Sequence, residues 1–283
     1  MHLAVSNKVK VYFTRYSLNI SYILQQLLFD AHIHLTDHEY SGYIQQILNN
    51  LRALKINACS VTVDIKTSLR SFELFNDSTR DVVTQFIGIH PEFADTEDVS
   101  EFIKIFNNNI AMIDGIGEIG LDRTYLEYNN KSSYEKQREV FNSMLSLAET
   151  TKKPVSIHSR KSLDDILEIL KTYNTGNVLL HWFAGSKKQL NKIMDMGLYV
   201  SYGPVLVYSD EKKVLLKNTD RDRFLVETDG PVKYSRCFKN LTSLSSSFLI
   251  SVVSCAADVL EMTYEEAKDI IKRNSDSFLK RTL

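Results

Sequence analysis

His32 and His34 stand one residue apart in "LLFDAHIHLTD" (27–37), where an apolar run ends. Successive side chains of a β-strand point to opposite faces, so residues two apart share one. On a strand, Asp30, His32 and His34 face the same way, and the two imidazoles lie close enough to hold one cation. A helix would set them about 200° apart around its axis and would not. The plain alternative is a loop with two incidental histidines, because short metal motifs also arise by chance. The rest of the chain bears on the choice. His158 ends "PVSIH", His181 ends "NVLLH", Glu118 closes "DGIGE" and Asp229 closes "FLVETD". Taken singly, each reads first as a satisfied buried polar residue. Six metal-competent groups at strand ends are harder to assign to chance, since buried ionisable groups are rare unless paired or metal-bound.

Four imidazoles and two carboxylates, with no thiolate, suit zinc, manganese, magnesium or a related divalent ion. Six protein ligands exceed what one catalytic zinc takes, which is three plus water. Two ions sharing a bridging carboxylate would use the surplus. Such pairs suit hydrolysis of phosphate esters: one ion activates water and both stabilise the attacking and leaving oxygens.

Eight short apolar runs must position these groups: 27–34, 56–63, 82–89, 110–120, 153–158, 177–182, 197–203 and 223–229. They read as buried strands. Helical patterns lie between them. Phe141, Met144, Leu145 and Ala148 share one helical face, as do Leu163, Ile166, Leu167 and Leu170. Ser162 is positioned to cap the second of these helices, with acidic residues in its first turn. Near-continuous apolar strands alternating with helices argue for a parallel sheet. Eight units predict an α/β chain folded as a closed (β/α)8 TIM barrel, with the metal site at the C-terminal mouth of the strands. The runner-up, an open doubly wound sheet, lacks its phosphate signature: "GIGEIG" (115–120) has glycines at the wrong spacing. Residues 27–283 form the barrel unit. Residues 1–26 stand apart as an N-terminal extension, in which "KVKVYF" (8–13) alternates like an added strand or hairpin.

Composition narrows the function classes. The 283 residues are 43% hydrophobic, enough for one large core, and carry a net charge of −1. No global positive field advertises nucleic acid, although a local cationic rim is compatible with that balance. Cys59, Cys237 and Cys255 are odd in number and widely spaced, which fits neither a disulfide framework nor a thiolate zinc site. The N-terminus has no signal-peptide pattern, and the most apolar stretch, "FLISVVSCAADVL", falls short of the roughly 20 residues a bilayer requires. The expectation is a cytoplasmic protein with no membrane partner.

The chain resembles the TatD family of metal-dependent deoxyribonucleases, within the amidohydrolase-like barrels. The resemblance rests on "FDAHIHL" (29–35), "GIHPEF" (88–93), "GEIGLD" (117–122), "QREVFNSMLSLAETTKKPVSIHSR" (137–160), "HWFAGS" (181–186), "GLYVSYG" (197–203), "ETDGP" (227–231) and "RNSDSFL" (273–279), in the family's order. It implies that His32 and His34 bind a first ion, Glu118 bridges two, and His158 and His181 bind the second. It places Asp229 beside the first ion, where it positions or deprotonates the attacking water; Asp229 and Glu118 are thus the catalytic pair. It implies two divalent ions as cofactors and DNA as substrate, cleaved from a 3′ end. The chain departs from the family's usual pattern at Gly230-Pro231, at Trp182 in place of a small residue, and in its N-terminal extension. These departures bear on substrate preference.

Around the site, Arg160 lies two residues beyond His158, and its guanidinium could clamp a phosphate with two hydrogen bonds. His90 and Arg123 are further substrate-contact candidates, set against a loop histidine and a weaker loop arginine. Asp122 structures its loop or supports a ligand. Trp182, Phe183, Tyr125 and Tyr202 could stack nucleobases, with loop packing the commoner role for such residues. Two other functions compete with DNA hydrolysis: a metal-dependent ester or amide hydrolase acting on a small-molecule or aminoacyl substrate, and a non-catalytic metal-stabilised scaffold in a complex.

Overall fold

The computed structural model describes residues 28–125, 132–232 and 248–280; the 1–26 extension lies outside them. Among the described residues, eight strands pair in chain order, all parallel, and close into a barrel. They are β1 (Leu28–Ile33), β2 (Ile56–Val61), β3 (Val83–Ile87), β4 (Gly115–Gly120), β5 (Val155–His158), β6 (Val178–Leu180), β7 (Tyr199–Tyr202) and β8 (Phe224–Val226). Helices separate them: α1 (Ile44–Leu54), α2 (Ile65–Leu74), α3 (Val99–Asn108), α4 (Tyr134–Thr151), α5 (Leu163–Leu170), α6 (Lys187–Asp195), α7 (Val205–Tyr208) and α8 (Asp210–Lys217). After β8 come α9 (Phe248–Val259) and α10 (Tyr264–Leu279). This is the expected (β/α)8 TIM barrel.

Local chemistry starts and stops these helices. Asp64, Ser186 and Thr263 begin α2, α6 and α10 with reciprocal capping boxes, which satisfy backbone N–H groups that would otherwise lack partners. Ser133 caps α4, and Lys152 ends it in a left-handed turn. Ser162 differs from expectation. It occupies the N-cap position of α5 without capping, and its hydroxyl donates to the Leu121 carbonyl instead. Tying one βα loop to the next has displaced the local bond.

Two apolar layers follow from strand alternation. Leu28, Ile56, Val83, Ile116, Val155, Val178 and Val200 pack outward against the helices. Phe29, Ala31, Cys59, Val61, Phe86, Leu179, Tyr199 and Leu225 form a separate cluster with Phe278 of α10. Side chains from six strands of a closed barrel meet one another only in its interior. Asn177, just before β6, donates to the carbonyls of Ser277 and Phe278. Those two bonds fix Phe278 at the N-terminal end, as a floor. The strands are shorter than the apolar runs. Residues 110–114, for example, form the turn that brings the chain from α3 into β4.

Candidate metal centre

All six expected groups meet at the opposite end, the mouth. His32 lies within β1 and His34 one residue beyond it. His158 is the last residue of β5, His181 follows β6 directly, and Asp229 follows β8. Three sets of donor atoms each fall within 4.8 Å of one another: His32, His34 and Asp229; His32, Glu118 and His181; His90, Glu118 and His158.

Strand alternation alone does not aim these side chains. Phe29 and Ala31 of β1 face the interior, so His32 by parity should not. The pairing of β1 with β2 shifts register between Asp30 and Ile33, which turns His32 inward after Ala31. The pairing of β4 with β5 shifts between Ile116 and Ile119, around Glu118. Such irregularities re-aim single side chains beside active sites. The shared face expected for Asp30, His32 and His34 is therefore corrected. Asp30 is split off by the shift, and it accepts from the N–H (2.9 Å) and hydroxyl (2.6 Å) of Thr228. It staples the end of β8 to β1, and burial pushes its carboxyl up to about 7.

Glu118 is the hub. Its Oε1 lies 2.7 Å from His181 Nε2, 2.9 Å from His158 Nδ1 and 3.6 Å from His90 Nε2, and its Oε2 lies 3.3 Å from His32 Nε2. Burial opposes its ionisation, but the surrounding imidazoles more than offset this and hold it well below the usual carboxylate range. Burial, helped by His181, pushes His32 down to about 4, so the ring is neutral at pH 7. Its Nδ1 sits 2.9 Å from Ser156 Oγ. With Nδ1–H donated there, the Nε2 lone pair faces a carboxylate oxygen. Both His32 Nε2 and His181 Nδ1 are buried without a hydrogen-bond partner. Such groups cost about 1–3 kcal/mol each, and a lone pair facing a carboxylate is an arrangement that an intervening cation resolves. The donor set fits divalent ions.

The family described as TatD related DNase matches residues 29–280. The chain belongs to the TatD family. An uncharacterised metal-dependent hydrolase of Bacillus subtilis is 30% identical to this TatD protein over 256 residues, covering 88% of this chain and 97% of its own. The human deoxyribonuclease TATDN3 is 23% identical over 254 residues, covering 85% and 93%. A TatD homologue of Escherichia coli superposes with a TM-score of 0.79 at 18% identity, covering 91% and 99%, a likeness of fold. This TatD protein is a metal-dependent hydrolase acting on ester bonds.

Three side chains expected at the substrate take different places in the TatD mouth. Arg160 is exposed and lines a cavity of about 470 Å³ together with His34, Glu118, His158, His181 and Asp229. His90 lines it too, and its Nδ1 accepts from the Glu92 N–H at 3.2 Å. Burial pushes His90 down to about 3, so it is neutral, with its proton on Nε2 facing Glu118. Arg123 sits in an adjacent cleft, ion-paired to Asp165 at 2.5 Å and stacked 4.3 Å from the Tyr134 ring centroid. Asp122 bonds both to the His158 ring and to its own loop. Its Oδ2 lies 2.8 Å from His158 Nε2, while its Oδ1 accepts from the Thr124 N–H and hydroxyl. Burial alone would lower His158, but Asp122 and Glu118 overcome that and raise it to about 9.

Sequence reasoning passed over Ser156 and Glu227. Glu227 is fully buried and accepts from the Ser201 hydroxyl (2.5 Å) and the Trp182 N–H (2.7 Å). Its signal was present as a second acid two residues before Asp229. Gly120 is also required. Its φ is +149°, and a Cβ there would meet the His158 carbonyl oxygen at 2.0 Å.

Proposed function

We propose that the chain is a two-ion phosphodiesterase acting on DNA, an exodeoxyribonuclease. The observation that carries this reading is Glu118, a buried carboxylate ringed by five imidazoles, two of which present unpartnered nitrogens. His32, His34 and Asp229 would hold one ion, His158 and His181 the other, with Glu118 between them. His90 is not counted as a ligand, because Glu92 takes its Nδ1 lone pair and Nε2 keeps the proton. Bound divalent ions supply Lewis acidity, which favours ionised water and offsets charge on phosphoryl oxygens.

The chain's own residues do the rest. Asp229 Oδ1 lies 3.4 Å from His34 Nε2, and it takes the proton from the attacking water. Asp122 fixes the ring of His158, and Ser156 fixes that of His32, as partners of metal-bound imidazoles do. His90 offers Nε2–H to a phosphate oxygen. Arg160, with no ion pair among the described residues, supplies the exposed cation for the phosphate. DNA as substrate has further support in the name of the human relative.

The test compares metal-loaded and chelator-treated protein on end-labelled single- and double-stranded DNA, beside a carboxylic ester and an amide reporter. Metal-dependent release of nucleotides from one end is expected. Metal-dependent turnover of the ester or amide with intact DNA would replace this reading by the small-molecule or aminoacyl one.

A further inference from the structure

Four aromatic residues lie near strand ends in the sequence, and the structure separates them. Phe183 and Tyr202 are core residues, 1% and 2% exposed, and the Tyr202 hydroxyl is bonded to Thr219. The Tyr125 hydroxyl donates to Glu92, and its ring stands edge-on to His90. Of the four, Trp182 lines the mouth cavity, together with Arg160 and Asp229.

Its placement is built from below. Trp182 adopts a left-handed backbone, φ +46°, a conformation costly for a bulky residue. Its N–H donates to Glu227 Oε1 at 2.7 Å and lies 3.2 Å from Ser201 Oγ. A buried carboxylate is thus used to fix this turn. The six-membered ring of the indole rests over Gly203, where a Cβ would come within 3.1 Å of Cζ3. The indole is half-buried, seated on one side and fixed at its backbone. A flat π surface held this way costs little to order when a ligand arrives.

We propose that Trp182 is the stacking wall for the nucleobase next to the reacting phosphate, and that it makes the enzyme require a base there. The proposal rests on the phosphodiesterase reading. Arg160 addresses the phosphate, which every nucleotide has. Trp182 addresses the π face that all bases share, so it selects for a base without selecting a sequence.

Trp182 is the chain's single tryptophan, so fluorescence excited beyond the tyrosine absorption band reports this position alone. The metal-loaded full chain is titrated with a thymidine strand whose phosphorothioate linkages resist cleavage, and with an abasic strand of equal length and linkage. Saturable quenching by the thymidine strand, absent with the abasic one, is expected. With fluorescently labelled strands, Trp182→Ala should weaken thymidine-strand binding about tenfold while leaving abasic binding within about twofold, and Trp182→Phe should restore most of the loss. Equal quenching by both strands, quenching by neither, or equal weakening on both overturns the proposal. Should Trp182→Ala not fold, the wild-type titration and Trp182→Phe decide. Base-dependent quenching in a chain that cleaves no phosphodiester would remove the parent reading and leave this site standing. Cleavage of DNA with unchanged fluorescence would do the reverse.

Discussion

The two ends of this barrel are made by the same strands and share almost no chemistry. At the floor, Phe29, Phe86, Leu179, Tyr199 and Leu225 close around Phe278, with no ionisable carboxylate or imidazole among them. At the mouth, His32, His181, Glu118, Glu227 and Asp229 occupy later positions on those or neighbouring strands, all at most 9% exposed. Burying charge is costly unless it is paired or metal-bound. The floor supplies a stability that the mouth draws on. Activity and stability are thus expected to fail separately, and substitutions can break or sharpen that division.

The largest effect is expected at the hub. Glu118→Ala should bring hydrolysis below detection while the protein still melts cooperatively; turnover near wild type with bound metal confirmed would remove Glu118 from its role. At the floor, Phe278→Ala should cost about 3–5 kcal/mol in urea denaturation. Its kcat/KM, measured on the folded fraction, should stay at the wild-type value; a loss of activity without a loss of stability would erase the contrast. Asp122→Asn should weaken metal affinity about 10–100-fold, read by competition with a chromogenic chelator. An unchanged affinity would confine Asp122 to its loop. The smallest effect lies at the rim. Arg160→Ala should raise KM on DNA about tenfold with kcat within about twofold, and an unchanged KM would count against the phosphate clamp.

Much of the fold was readable because a parallel barrel strand is buried on both faces. Runs such as "INACSV" and "VTQFI" are buried at every position, and their alternation with amphipathic helices leaves few architectures. The meeting of six side chains at one mouth was readable for the same reason: they follow such runs. What stayed hidden is tertiary. Period-2 alternation groups Asp30 with His32, whereas the register shift of β1 separates them, and no local pattern in "FDAHIH" encodes the shift. The bond from Asp122 to His158 joins the loop after β4 to the last residue of β5, and Glu227 finds Trp182 across three neighbouring strands. His90 read equally well as a loop histidine. Its place beside Glu118 depends on how β3 and β4 pair, and its tautomer on one backbone N–H.

The ring closes at the seam between β1 and β8. Asp229 N–H donates to the His32 carbonyl, and His34 N–H donates to the Gly230 carbonyl, each at 2.8 Å. The set of His32, His34 and Asp229 therefore exists only where the first strand of the ring has met the last. A nascent chain still emerging from a ribosome holds the two histidines for most of its synthesis without their carboxylate. On the proposed two-ion reading, catalytic competence would arrive late, with ring closure.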